Sequence, residues 1–221
     1  LYYVSSLNSD RWIDPEISEP WFIWFRAPIP TDRLAPSTFY SFNPVGEQSY
    51  HLGPMDFSDD GRLFYTANPD RSGSFLGSSD QLPLQLYRVR QEGKKWGKPS
   101  KLPFVRKDYD YCHPSWDERR NRLYFSSNQP GGFGGMDIYY VTWSGSGWSQ
   151  PVNVGESVNS SKNEVFPFIA GDNALFFSSD RTASLDIYLS ISKNDSYTEA
   201  ERLSEPFNSE ADDLGFYLGD D

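Results

Sequence analysis

A short signature, leucine followed by two aromatic residues, recurs along this 221-residue chain, and it constrains the fold more than any other feature. It stands at Leu1-Tyr2-Tyr3, Leu63-Phe64-Tyr65, Leu123-Tyr124-Phe125 and Leu175-Phe176-Phe177. Self-similarity at a period of roughly 50 to 60 residues marks a repeat architecture. Other motifs keep a fixed order around it. Ahead of it come His51-Leu52-Gly53-Pro54-Met55, Cys112-His113-Pro114-Ser115-Trp116 and Val165-Phe166-Pro167-Phe168-Ile169. After it come Trp21-Phe22-Ile23-Trp24, Leu86-Tyr87-Arg88-Val89, Asp137-Ile138-Tyr139-Tyr140 and Asp186-Ile187-Tyr188-Leu189. Each unit closes on a fourth motif, Lys95-Trp96-Gly97-Lys98-Pro99 or Gly147-Trp148-Ser149-Gln150-Pro151, with weaker counterparts at Thr38-Phe39-Tyr40-Ser41 and Tyr197-Thr198-Glu199-Ala200.

Each unit therefore predicts four short strands. Ser58-Asp59-Asp60-Gly61 and Ala170-Gly171-Asp172-Asn173 supply turn chemistry between the first and second strands. Between the second and third lies a longer hairpin, which in the third unit is Gly131-Gly132-Phe133-Gly134-Gly135. Loops of about 8–20 and 68–84 occupy that place in the first two units. Hydrophobic residues make up only 37%, but aromatics reach 17%, and large rings compensate for few aliphatics in a core. With 17 Gly, 16 Pro and no long apolar run at helical spacing, the expected class is all-β.

Four strands per unit is the arithmetic of a β-propeller of four-stranded antiparallel blades. We expect one domain over 1–221, with blades at 1–48 (lacking its first strand), 49–108, 109–161 and 162–207, and a lone first strand at 208–221. Two closures follow. The tail completes the blade begun by Leu1, giving four blades and no exposed edge. Alternatively the sequence is cut in mid-blade at both ends, and the intact ring has about five.

The net charge of −11 repels phosphate backbones and anionic lipid, so nucleic acid is not an expected partner. No apolar stretch is long enough to span a membrane. Cys112 is the one cysteine, so no intrachain disulfide forms. The chain begins at Leu1 in strand-like sequence, which suggests residues upstream.

Asp137 and Asp186 precede Ile-Tyr in equivalent strands, and a carboxylate repeated at a turn favours capping of the hairpin over acid or metal chemistry. Gln85 replaces it in the second unit, which breaks any ring of carboxylates. His51 and His113 begin equivalent first strands, where a propeller's channel is lined, but no third histidine exists and structural roles are favoured. Cys112 beside His113 invites a nucleophile reading. Adjacent strand residues point to opposite faces, so a buried thiol is expected. Asp59-Asp60-Gly61 lacks the alternating ligands of a calcium loop and reads as a turn, as does Asp117-Glu118. Asp56 and Glu164 stand near the channel without forming a consistent carboxylate set. No Gly-x-Ser-x-Gly or phosphate loop occurs, so no catalytic residue, metal or cofactor is expected. Trp12, Trp21, Trp24, Phe75 and Phe133 lie in or near the loops that join second and third strands. Packing onto the blades is favoured for Trp21 and Trp24. Phe133, at its glycine-flanked tip, and the 68–84 loop with Phe75 are the better binding candidates. Phe133, Phe75, Trp12, His113 and His51 form the candidate partner surface.

The pattern His113-Pro114-Ser115-Trp116-Asp117, Leu123-Tyr124-Phe125-Ser126-Ser127-Asn128 and Gly131 to Tyr139 resembles the WD40-like propeller repeat first recognised in TolB. More narrowly, it is similar to the propeller of OmpA-family envelope lipoproteins of Bacteroidetes, the group that includes the type IX secretion and gliding component PorE. The segments His51 to Gly61, Pro151 to Ser160 with Glu164 to Phe168, and Pro206 to Phe216 carry the likeness, which covers about 50–221. It implies the propeller of a longer lipoprotein with about five blades. Peptidoglycan would be bound only through another domain of that longer protein. It further implies a periplasmic, outer-membrane-associated, non-enzymatic scaffold for envelope proteins. Two other readings are carried beside it: a carbohydrate-binding or carbohydrate-active propeller, on the Trp-rich first unit and acidic surface, and a TolB-like partner of a peptidoglycan-associated lipoprotein.

Overall fold

A computed structural model describes residues 52–67 and 83–217, with the backbone alone of the strands at 2–5, 23–26 and 40–41. It is all-β: every described element is a strand and every pairing is antiparallel. The first sheet runs in the order β1 (Tyr2–Ser5), β2 (Ile23–Arg26), β3 (Tyr40–Ser41). The second holds β4 (Leu52–Phe57), β5 (Arg62–Ala67), β6 (Gln85–Glu92), β7 (Lys95–Trp96) and β8 (Ser100–Lys101). The third holds β9 (Tyr111–Asp117), β10 (Arg122–Ser127), β11 (Asp137–Thr142) and β12 (Val152–Asn153). The fourth holds β13 (Glu164–Ala170), β14 (Ala174–Ser179), β15 (Asp186–Lys193), β16 (Ser196–Tyr197) and β17 (Glu201–Arg202).

The sequence motifs place the first three strands of each sheet well and the fourth imperfectly. Lys95-Trp96 and Ser196–Tyr197 only extend the preceding hairpin, and Trp148 makes a single bridge to Trp143. The outer strand that ladders onto the third lies a few residues later, at Ser100–Lys101, Val152–Asn153 and Glu201–Arg202. A bulky aromatic at a tight turn packs onto the strand before it, so the motif marks the hairpin rather than the outer strand.

The Leu-aromatic-aromatic signature follows from burial on both faces of the second strand. All six residues of β5 are buried, and so are the last five of β10. Alternate side chains enter different cores. Phe64, Leu123 and Phe125 meet between the second and third sheets. Tyr124 turns the other way and joins Leu175 and Phe177 between the third and fourth. Leu63 and Tyr65 form a cluster on the remaining face of the second sheet. A strand that is wet on one face alternates apolar and polar, whereas one buried on both reads as a continuous apolar run. Aromatic stacking fixes these cores, with Phe64 5.2 Å from Trp116 and Phe104 5.3 Å from Phe125.

Neighbouring sheets meet through their first strands, β4 against β9 and β9 against β13. The bonds that join them repeat. Trp116 N donates to Asp56 Oδ2 at 2.7 Å, and Ile169 N donates to Ser115 Oγ at 3.3 Å. Each first strand also carries a proline bulge: Gly53-Pro54, His113-Pro114 and Phe166-Pro167. His113 and Phe166 hold it with φ of 54° and 52°, in the left-handed region that costs a non-glycine residue about 1–2 kcal/mol. The tail reproduces the pattern. Asp213 N donates to Leu185 O as Glu164 N donates to Met136 O, both at 2.6 Å, and Gly215 follows with φ of 77°. Residues 213–217 thus follow the course of a first strand beside the fourth sheet.

Candidate functional site

The repeated first strands enclose a cavity of about 150 Å³, lined by 54–56, 113–115, 166–168 and the tail residues 215–217. Four successive units contribute the same short segment to one space. On its wall the His113 and Phe166 rings stack at 3.8 Å. The left-handed bulge turns both rings the same way, and Gly215 ends the stack because it has no side chain. Phe168 lies 5.1 Å from Tyr217, and Phe176 stacks on Phe216 at 4.2 Å.

The bulge also overturns one sequence expectation. Strand alternation was expected to keep Cys112 and His113 apart, yet Cys112 Sγ lies 3.4 Å from His113 Nδ1. Positive φ at His113 breaks the alternation. The pair is nevertheless a poor nucleophile. Burial pushes the Cys112 thiol far up and, with no compensating charge, lowers His113 to about 3, so neither group is charged near neutral pH. Cys112 is a buried thiol, as expected, and its sulfur also approaches Ser126 O at 3.8 Å. The bulge further shows that Gly53-Pro54, not His51, occupies the place of His113-Pro114. His51 itself lies outside the described residues, as do Trp12, Trp21 and Phe75.

The two first-strand carboxylates, Asp56 and Glu164, separate in role. Glu164 is fully buried and held by Arg181 at 3.1 Å and by the Ser160 and Ser179 hydroxyls at 2.6 and 2.7 Å. Asp56 faces the cavity. Burial raises it to about 6, against the opposing hydrogen bonds from the Trp116 and Phe57 amides.

At the hairpin end the expected capping is present. Asp137 accepts from Phe133 N at 2.6 Å and Gly134 N at 3.0 Å. Asp186 does different work in the same place. The Arg202 guanidinium grips both its oxygens, Thr182 adds a third bond, and this holds its carboxyl below the usual range. Gln85 replaces the acid with a donor to the Leu84, Arg106 and Tyr109 carbonyls. Phe133 stands at the tip, 49% exposed. The glycines behind it are there for close approach: a Cβ on Gly134 would run into the Lys162 and Ser160 carbonyls. Asp59-Asp60-Gly61 is a turn, with Ser58 Oγ and Arg62 Nε donating to Asp60 Oδ1. Asp117 is likewise a turn residue, accepting from Arg119 N and Arg120 N. Among the described residues no cluster of three or more His, Cys, Asp or Glu could hold a metal ion. No described helix is long and apolar enough to cross a membrane.

Sequence reasoning missed the asparagine clamps. Asn159 Oδ1 accepts from Ile138 N while its Nδ2 donates to Ile138 O, and Asn208 does the same to Ile187. The signal was an Asn-Ser pair recurring at 159–160 and 208–209, at the spacing that separates Asp137 from Asp186.

No family model matches the chain, and no curated protein matches it. Solved structures do. A puromycin-hydrolysing peptidase of Mycobacterium tuberculosis matches with a TM-score of 0.51 and 16% identity, over 92% of this chain and 29% of that protein. A chain from a structural and mechanistic analysis of two prolyl endopeptidases matches with a TM-score of 0.46 and 20% identity, over 89% of this chain and 25% of its own length. This chain therefore spans less than a third of either protein, and the likeness to the first concerns the fold.

Proposed function

We propose that the chain is a non-enzymatic β-propeller module that docks other proteins, and that it belongs to a periplasmic, outer-membrane-associated assembly of the type IX secretion or gliding kind. The propeller reading is supported by sheets of one strand order, of which the second, third and fourth join through their first strands around a common cavity that the tail enters as a fourth such segment. A tail that adds a unit to the four described sheets would agree with the blade number of about five that the OmpA-family lipoprotein resemblance implies.

One observation carries the docking role. Phe133 is a large ring held out on a hairpin whose conformation is fixed from behind, by Asp137 and by the close contact of Gly134 and Gly135 with residues 160–163. A rigid exposed aromatic loses little entropy on binding and gains a buried ring, as interface anchors do. Phe207 and Leu214, about half exposed, lie on the connection that enters the tail and add apolar surface.

Affinity recovery from detergent-solubilised bacterial envelopes tests the reading. The wild-type chain is expected to retain a defined envelope protein in near-equal amount, and Phe133→Ser to lose most of it while unfolding at the same temperature. Recovery of the wild-type chain alone would count against the proposal.

A further inference from the structure

A second cavity, of about 440 Å³, lies at the turn end of the second and third sheets, away from Phe133. Its charged lining is Asp60, Arg62, Arg88, Arg90 and Lys98, with the Trp143 indole beside them. That is four cations and one carboxylate, in a chain whose net charge is −11. Charge of that sign, gathered in a concave site against the trend of the whole molecule, focuses a positive field into it.

Arg62 is the residue that needs explaining. Its side chain is only 10% exposed, because the guanidinium lies 4.7 Å from the Trp116 ring centre. Nε donates to Asp60 Oδ1 at 2.7 Å, but Nη1 is buried without a hydrogen-bond partner. The Trp116, Phe64 and Trp143 rings offset part of this by cation–π attraction, but Nη1 still lacks a hydrogen-bond acceptor, which is costly for a buried charged donor. Arg88 is half-buried beside it. Its guanidinium lies 5.5 Å from the Trp143 ring centre, and no carboxylate pairs with it among the described residues. The Arg62 guanidinium lies 6.0 Å from that same ring, so one indole holds both cations at one cavity. Asp60 is already divided between Arg62 and Arg90, the latter at 4.0 Å.

The guanidiniums that line the cavity suit an acceptor with more than one oxygen. We propose that this cavity binds the oxyanion group of a small acidic ligand, a phosphate, sulfate or carboxylate, with Arg62 and Arg88 as the inner donors and Lys98 at the rim. The guanidinium fork matches the geometry of such groups, and the aromatic wall lowers the local dielectric, which strengthens the contact. The volume holds the anionic head of a ligand together with a small organic remainder. The site is separate from the docking surface above and independent of it.

Calorimetric titration of the chain with sodium phosphate, sulfate or acetate, at ionic strength held constant with chloride, tests the proposal. At least one anion is expected to saturate a single site, and which one does so separates dianionic heads from carboxylates. Arg88→Gln is expected to weaken that binding about tenfold, since a charge-assisted hydrogen bond is lost. Lys98→Gln, at an exposed position, is expected to weaken it about threefold with the fold untouched. If Arg88→Gln fails to fold, Lys98→Gln decides the matter. Absence of saturable binding for all three anions, or wild-type affinity in the folded variants, would overturn the proposal.

Discussion

Paired side chains close the open ends of these sheets, and their chemistry can be exchanged without changing their task. In the third sheet Asp110 N donates to Asn128 Oδ1, Asn128 Nδ2 donates back to Asp110 Oδ2, and Asp110 Oδ1 accepts from Leu84 N of the preceding sheet. In the fourth the acid and the amide trade places: Asn163 donates twice to Asp180 and accepts from Met136 N. Burial alone would raise Asp180, but the Asn163 bonds more than offset it and hold the carboxyl low. Asp56 shows the opposite balance, raised from 3.8 to about 6. Between those values the folded chain binds more protons than the unfolded one, so stability from this group is present below about 3.8 and lost as pH rises to about 6. Comparing wild type with Asp56→Asn by urea unfolding across pH 3.5 to 7, we expect the wild-type advantage to shrink by up to about 3 kcal/mol as pH rises. A difference independent of pH would show that Asp56 titrates normally. Very little at this scale was legible beforehand. The Asp137 cap was, because a carboxylate after a glycine hairpin has few other uses. The contact of Cys112 with His113 was not, because it depends on a bulge that alternation does not encode. The switch from backbone capping at Asp137 to arginine pairing at Asp186 was equally hidden, since Arg202 stands on a strand that no motif marked.

Elements were easier to read, for a physical reason. Second strands buried on both faces require consecutive apolar residues, and Leu63 to Tyr65, Leu123 to Phe125 and Leu175 to Phe177 stand out in a chain of modest hydrophobicity. Outer strands of two residues, such as Val152–Asn153, carry no such demand, and the nearby tryptophans are more conspicuous in the sequence. The glycine hairpin was recognised as a turn, but its cause lies in tertiary packing. Gly134 is pressed against the connection into β13, where Gly135 N donates to Lys162 O at 2.8 Å. Gly134→Ala is therefore expected to cost about 2–3 kcal/mol, because the obstructing atoms are backbone and cannot step aside. Gly147→Ala, where a Cβ would meet no described atom, serves as the control and should leave the unfolding midpoint nearly unchanged. Equal effects at both positions would mean that the hairpin is held by something other than this contact.

Over the whole molecule the repeated arrangement gives two ends with different characters. The hairpin end presents Phe133 on a braced loop, and the turn end carries the cationic cavity of Arg62 and Arg88. The repeat made the strand order within a unit legible from sequence, because every unit must present the same strands to its neighbours. The two-ended character was not legible, since Arg62, Arg88 and Lys98 are distant in sequence and meet only when β5, β6 and the loop before β8 come together. The docking role assigned to the hairpin end is the central claim. Its most direct test is site-specific photo-crosslinking in intact envelopes, with the photoreactive residue placed at Phe133 in one variant and at Lys98 in another. The account predicts a discrete protein adduct from position 133 and none from position 98. No adduct at 133, or the same adduct from both ends, would contradict it.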